Sequence, residues 1–161
     1  MKRFIKYPIV LTVLVFMAFT NCFAQQSASV ESTMNEIVKR YETSEGVSCL
    51  TVAKGSGLDL VKMMFNKEFS KDFMRGVTSI TVIDYSEASE ETCATLRNDL
   101  DVFLSLLEEF DVSKKEDFAD NDYIRCFASS SETNIVSDFV IALEDNGSKM
   151  IMYMAGTIKV E

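Results

Sequence analysis

The residues best suited to chemistry in this chain are thioethers. In "MIMYM", Met150, Met152 and Met154 alternate, and in a strand alternate side chains leave the same face. Three soft sulfurs on one face suit Cu(I). The competing reading is packing, because Met fills irregular core gaps and Met63, Met64 and Met74 supply equally soft partners beside a Phe-rich segment. Packing is the expectation, with a Cu(I) carrier as an alternative that requires Met150, Met152 and Met154 to be accessible.

Other chemistries are narrowed by what is missing. The chain contains no histidine, which removes the commonest general base and metal ligand. Nucleophile systems that need an imidazole are therefore excluded, and zinc sites of the Cys/His kind lack ligands. Gly55-Ser56-Gly57 has neither the flanking glycines of a nucleophile elbow nor the Gly-Lys-Ser/Thr ending of a phosphate loop; it reads as a loop between a strand and a helix. Carboxylates are abundant: from Asp84 to Asp122 there are 13 acidic residues against three basic ones, Arg97, Lys114 and Lys115. Within that region "EDFADND" (Glu116 to Asp122) lacks the turn glycine and distant Glu of a calcium loop, and reads as a solvated acidic face. A carboxylate-based enzyme remains an alternative, with two acids converging in a pocket. No cofactor is expected.

The leader decides where the rest works. Lys2, Arg3 and Lys6 precede the uncharged run Ile9 to Phe19, and Ala24 closes it, the pattern of an export signal over residues 1–24. Eleven apolar residues at about 1.5 Å each fall short of a bilayer core of about 30 Å. Cleavage after Ala24 places Cys22 and Ala24 at the two small-residue positions and yields a periplasmic protein. The alternative is lipidation of Cys22, which would tether the chain to the envelope; Phe19, Thr20 and Asn21 fit that signal poorly.

Without the leader, 13 basic residues face 25 acidic ones, a net charge of −12 over 137 residues. Such a balance repels nucleic acid and anionic lipid, so contact with membrane is expected only through the leader or a lipid anchor. The sole proline is Pro8, in the leader, and residues 25–161 read as one domain. Three cysteines remain: Cys49, Cys93 and Cys126. They are expected to be free and buried, with a disulfide between Cys49 and Cys126 as the most plausible pair should one form.

These features must be positioned by a small set of elements. Val30, Met34, Ile37 and Tyr41 mark the apolar face of a first helix, with Gly46 as its stop. A strand follows over Val47 to Lys54. Helical spacing returns from Leu58 to Gly76, through Val61, Phe65, Phe69 and Phe73, before a strand over Val77 to Asp84. Cys93, Leu96, Leu100, Phe103, Leu107 and Phe110 predict a third helix running to Phe110, capped by Ser89 or Glu90. Strands then cover Tyr123 to Ser129 and a hairpin turning at Asp145-Asn146-Gly147. The order α-β-α-β-α-β-β-β predicts an α+β two-layer sandwich, with three helices packed on one face of a mainly antiparallel five-stranded sheet.

The leader, "FMRGVTSITVIDYS" and the closing "IALEDNGSKMIMYMAGTIKVE", ending in Gly156-Thr157-Ile158, together resemble the bacterial family catalogued as domain of unknown function 4252. The resemblance spans most of the chain beyond the leader and implies a small exported or lipid-anchored envelope protein. That family has no established activity, so no catalytic residue is implied. The expected function is a non-catalytic binding or interaction module of the periplasm, with an envelope protein or a small ligand as its partner.

Overall fold

The computed structural model describes residues 30–65, 71–110, 124–130, 134–145 and 147–159. Signal, cleavage site and Cys22, together with Glu116 to Asp122, lie outside the described residues. Among those described, no helix is long and apolar enough to cross a membrane.

Helix α1 covers residues 30–41, and its predicted face, Val30, Met34, Ile37 and Tyr41, is buried throughout. It is followed by β1 (Ser48–Ala53), α2 (Ser56–Phe65), α3 (Lys71–Gly76) and β2 (Val77–Asp84). Helix α4 (Glu90–Leu104) begins where Ser89 accepts a hydrogen bond from the Thr92 backbone N–H at 3.2 Å, the side-chain cap that a helix start requires. Three further strands and a short edge complete the chain: β3 (Glu108–Phe110), β4 (Ile124–Ala128), β5 (Ile135–Glu144) and β6 (Lys149–Lys159). The fold is α+β, with six strands in the order β1-β2-β6-β5-β4-β3 and every neighbouring pair antiparallel.

Strand β6 explains the architecture. It runs between β2 and β5 in the middle of the sheet, and Ile151 to Ala155 are all buried. Ile151, Tyr153 and Ala155 join one core cluster with α1 and α4. Met152 and Met154 join another with Leu58 of α2 and Phe73 and Met74 of α3. A strand apolar on both faces must be covered on both faces. The expected two layers are therefore corrected to three: α1 and α4 on one side, α2 and α3 on the other.

Other details of the expectation change with it. Among the described residues there are six strands rather than five, and four helices rather than three. The third predicted helix stops at Leu104, and Glu108–Phe110 instead forms the edge strand β3, opposite Ala128, Phe127 and Cys126 of β4. Helical spacing continued through Leu107, but pairing with β4 is a long-range gain that local periodicity cannot register. The stretch predicted as one helix from Leu58 to Gly76 holds α2 and α3. Strands β1 and β2 are antiparallel neighbours, so no parallel crossover arises.

Two glycines let the second layer close. A Cβ on Gly76 would lie 1.8 Å from the Thr157 carbonyl oxygen, and one on Gly156 would lie 2.1 Å from that of Gly76. Gly156 also has φ +142 and sits where the ladder slips register on both flanks of β6. Only glycine permits that approach and that backbone.

Candidate functional site

A cleft of about 150 Å³ opens between α4 and strands β4 to β6. Arg97, Leu100, Asp101 and Leu104 follow one another at helical spacing along α4 and form one wall. The floor follows from sheet register. Arg125, Ala142 and Ile151 stand in one row across β4, β5 and β6. The neighbouring row, Phe127, Val140 and Tyr153, is bulky and buried, and Phe103 meets the Tyr153 ring edge-on at 5.8 Å. Where the small Ala142 replaces such bulk, the floor sinks and the cleft forms.

The rim is charged. Arg97 donates to the Glu144 carboxylate and is ion-paired with it. Arg125 grips Glu109 through two hydrogen bonds, of 2.9 and 3.3 Å, and its guanidinium lies 4.9 Å from the Phe127 ring centre. The Arg125 hydrogen bonds hold the Glu109 carboxyl below the ordinary range. Both ion pairs are roughly half exposed, so each contributes at most about 1 kcal/mol to stability; their consequence is to fix where the guanidinium groups stand. Tyr85 closes the end beside Glu144, and burial, reinforced by the Glu144 charge, pushes its hydroxyl up to about 12. The result is an apolar lining, Leu100 and Leu104 from the α4 wall and Ala142 and Ile151 from the floor, inside a rim of oriented charge.

A second polar group lies deeper. Asp138 is only 1% exposed, yet its carboxylate accepts from the Tyr153 hydroxyl at 2.7 Å and from the Ser137 hydroxyl at 2.6 Å. Its own carbonyl accepts from the Ser129 N–H at 3.1 Å, and Ser129 Oγ accepts from the Ser137 N–H at 3.0 Å. Burial first, then the contact with Asp138, raises the Tyr153 pKa. This network ties the β4–β5 connection to the central strand.

The residues singled out by sequence are not brought together. Met150, Met152 and Met154 do share the α2/α3 face, but Met152 and Met154 are buried at 6% and 1% exposure within an apolar cluster, whereas a copper carrier needs them accessible. Cys49 and Cys126 cannot pair. Cys49 packs on the α1/α4 side and Cys126 on the other. Four strand-to-strand steps of about 4.8 Å separate β1 from β4, far beyond the ~7 Å Cα limit of a disulfide. None of Cys49, Cys93 and Cys126 is joined in a disulfide. Of Gly55-Ser56-Gly57, expected as a loop, Ser56 and Gly57 already form the first residues of α2. Among the described residues, no group of three or more acidic or thiol side chains converges as a metal site.

Sequence reasoning missed both the cleft and the buried Asp138. For Asp138 a signal existed: a single carboxylate inside the apolar run "IVSDFVIAL", where a buried charge needs donors. No family model, curated protein or solved structure matches the chain.

Proposed function

We propose that this chain is an exported, non-catalytic interaction module of the bacterial periplasm, of the envelope-protein kind that its resemblance implies. Its cleft over α4 takes one apolar side chain of an envelope protein. The observation that carries this reading is the size and lining of the cleft. At about 150 Å³ it is smaller than the roughly 300–1,000 Å³ usual for small-molecule sites. An apolar floor ringed by charge is also how one protein anchors a single side chain of another. The acidic balance of the chain disfavours nucleic acid as the partner.

A photo-crosslinking residue introduced at Asp101, on the rim, tests the proposal in intact cells. One discrete protein adduct is expected, and it should disappear when Ala142→Phe fills the floor. An adduct that survives Ala142→Phe would reject the cleft as the contact. Asp101 and Glu144 both line the cleft, which keeps a carboxylate-based enzyme as the second reading. A hydrolase activity abolished by Glu144→Gln, with the fold intact, would replace the binding module by that enzyme. Export belongs to the same proposal: a mature chain beginning at Gln25 supports a free periplasmic protein, and an acyl group on Cys22 supports the tethered form instead.

A further inference from the structure

The two edges of the sheet are built differently. Strand β3 is three residues long and carries Glu108 and Glu109, the short, charged edge that proteins use to refuse further pairing. Strand β1, "SCLTVA", is six residues long, carries no charge or proline, and pairs with β2 over its whole length without a bulge. Its outer side ends the sheet, and no described strand covers it. In a chain of net charge −9, such a neutral stretch is where two copies meet without repelling each other.

Hydrogen-bond direction identifies the free backbone groups. The Lys54 N–H points inward to the Thr78 carbonyl, so even-numbered positions of β1 bond β2 and Cys49, Thr51 and Ala53 point outward. The side chains agree: Thr51 and Thr81 hydroxyls lie 3.2 Å apart, as expected for the close, non-hydrogen-bonded pairs. These three outward residues are symmetric about Thr51. Among the described residues, the large apolar side chains left exposed include Leu50 of β1 and Leu60 and Met63 of α2, which packs on β1 and β2.

We propose that two copies of this chain pair through β1, antiparallel, about a two-fold axis at Thr51. Thr51 then faces Thr51 of the second copy, and Cys49 faces its Ala53, giving roughly six backbone hydrogen bonds. Matching parity keeps like faces together, so α2 of each copy lies on the same side of one continuous twelve-stranded sheet and brings Leu60 and Met63 towards the seam. The pairing is isologous, as a closed dimer demands.

Analytical ultracentrifugation of the full chain, purified as the cell processes it, tests the pairing between about 1 and 100 μM. A dimer is expected for the wild type and for Glu108→Lys on the opposite edge. Thr51→Lys, which sets like charges against each other, and Thr51→Pro, which removes an outward N–H without touching the β2 ladder, are both expected to be monomers with unchanged circular dichroism. Ala53→Cys supplies a positive test: mild oxidation should link Cys49 of one copy to the substituted position of the other, located by peptide mass. A wild type that stays monomeric at 100 μM overturns the proposal, as does a dimer that persists in both Thr51 variants or a crosslink elsewhere. Ala142→Phe leaves this dimer intact, so failure here is distinct from failure of the cleft.

Discussion

Tyr153→Phe deletes one oxygen from the centre of the molecule, and the structure sets the cost. Tyr153 is 2% exposed and its hydroxyl is one of two side-chain donors to the Asp138 carboxylate, at 2.7 Å. A hydrogen bond to a charged acceptor contributes about 1.5–3 kcal/mol, and at 1% exposure Asp138 is shielded from bulk solvent. For a chain of this size each kcal/mol moves the melting temperature by about 4 °C, so a fall of roughly 6–12 °C is expected. Urea denaturation gives the free energy directly, and a cycle with Asp138→Ala separates the bond from the loss of either group alone; a coupling of about 1.5–3 kcal/mol is expected. pH supplies an independent check. The folded pKa of Tyr153 is raised above its unfolded value of about 10. Its contribution is therefore fully present below pH 10 and is lost as the pH climbs towards the folded value. The gap between wild type and Tyr153→Phe should stay constant up to about pH 9 and narrow beyond 10. Tyr85 shifts in the same direction but is common to both proteins and cancels. A loss under about 0.5 kcal/mol, or a coupling near zero, would refute the claim that this pair braces the sheet.

Three further perturbations probe the fold. Gly156→Ala places a Cβ about 2.1 Å from the Gly76 carbonyl oxygen; a cost of more than about 3 kcal/mol, or failure to accumulate as folded protein, is expected, and a wild-type urea midpoint would contradict the close crossing. Ser89→Ala removes the acceptor at the start of α4 and should cost about 1 kcal/mol in chemical denaturation, with no change meaning that the cap is dispensable. Met154→Leu should cost under about 1.5 kcal/mol whereas Met154→Ala loses about 2–5; a Cu(I)-dependent rise in melting temperature that vanishes in Met154→Leu would instead revive the thioether site.

Much of the local structure was legible because it depends on near neighbours. The α1 face appears in the spacing of Val30, Met34, Ile37 and Tyr41, and β2 begins and ends at the predicted Val77 and Asp84. The hairpin turn falls across Asp145 to Ser148, closed by the Asp145 N–H on the Ser148 carbonyl at 2.9 Å. The two-sided core was also legible in principle. Met150 to Ala155 is continuously apolar rather than alternating, which marks a strand covered on both faces, whereas a two-layer sandwich covers only one. Strand β3 was not legible, since its only reason for being extended is β4, across residues 111–123.

The cleft belongs wholly to the tertiary structure. Arg97 and Glu144 stand 47 residues apart in the chain, and nothing in a surface charge announces its partner. Ala142 matters only because register places it between Arg125 and Ile151; elsewhere in β5 it would be an ordinary small residue. The buried faces of α1 and α4, the bounds of β2 and the net acidic charge were determined by the sequence itself, because periodicity, capping and net charge are sums over nearby or unplaced residues. Which helices cover which face, which strand forms the neutral edge of the described sheet, and where the floor sinks beneath α4 were decided only when distant strands took their places. These are properties of register, and register is set by the core as a whole.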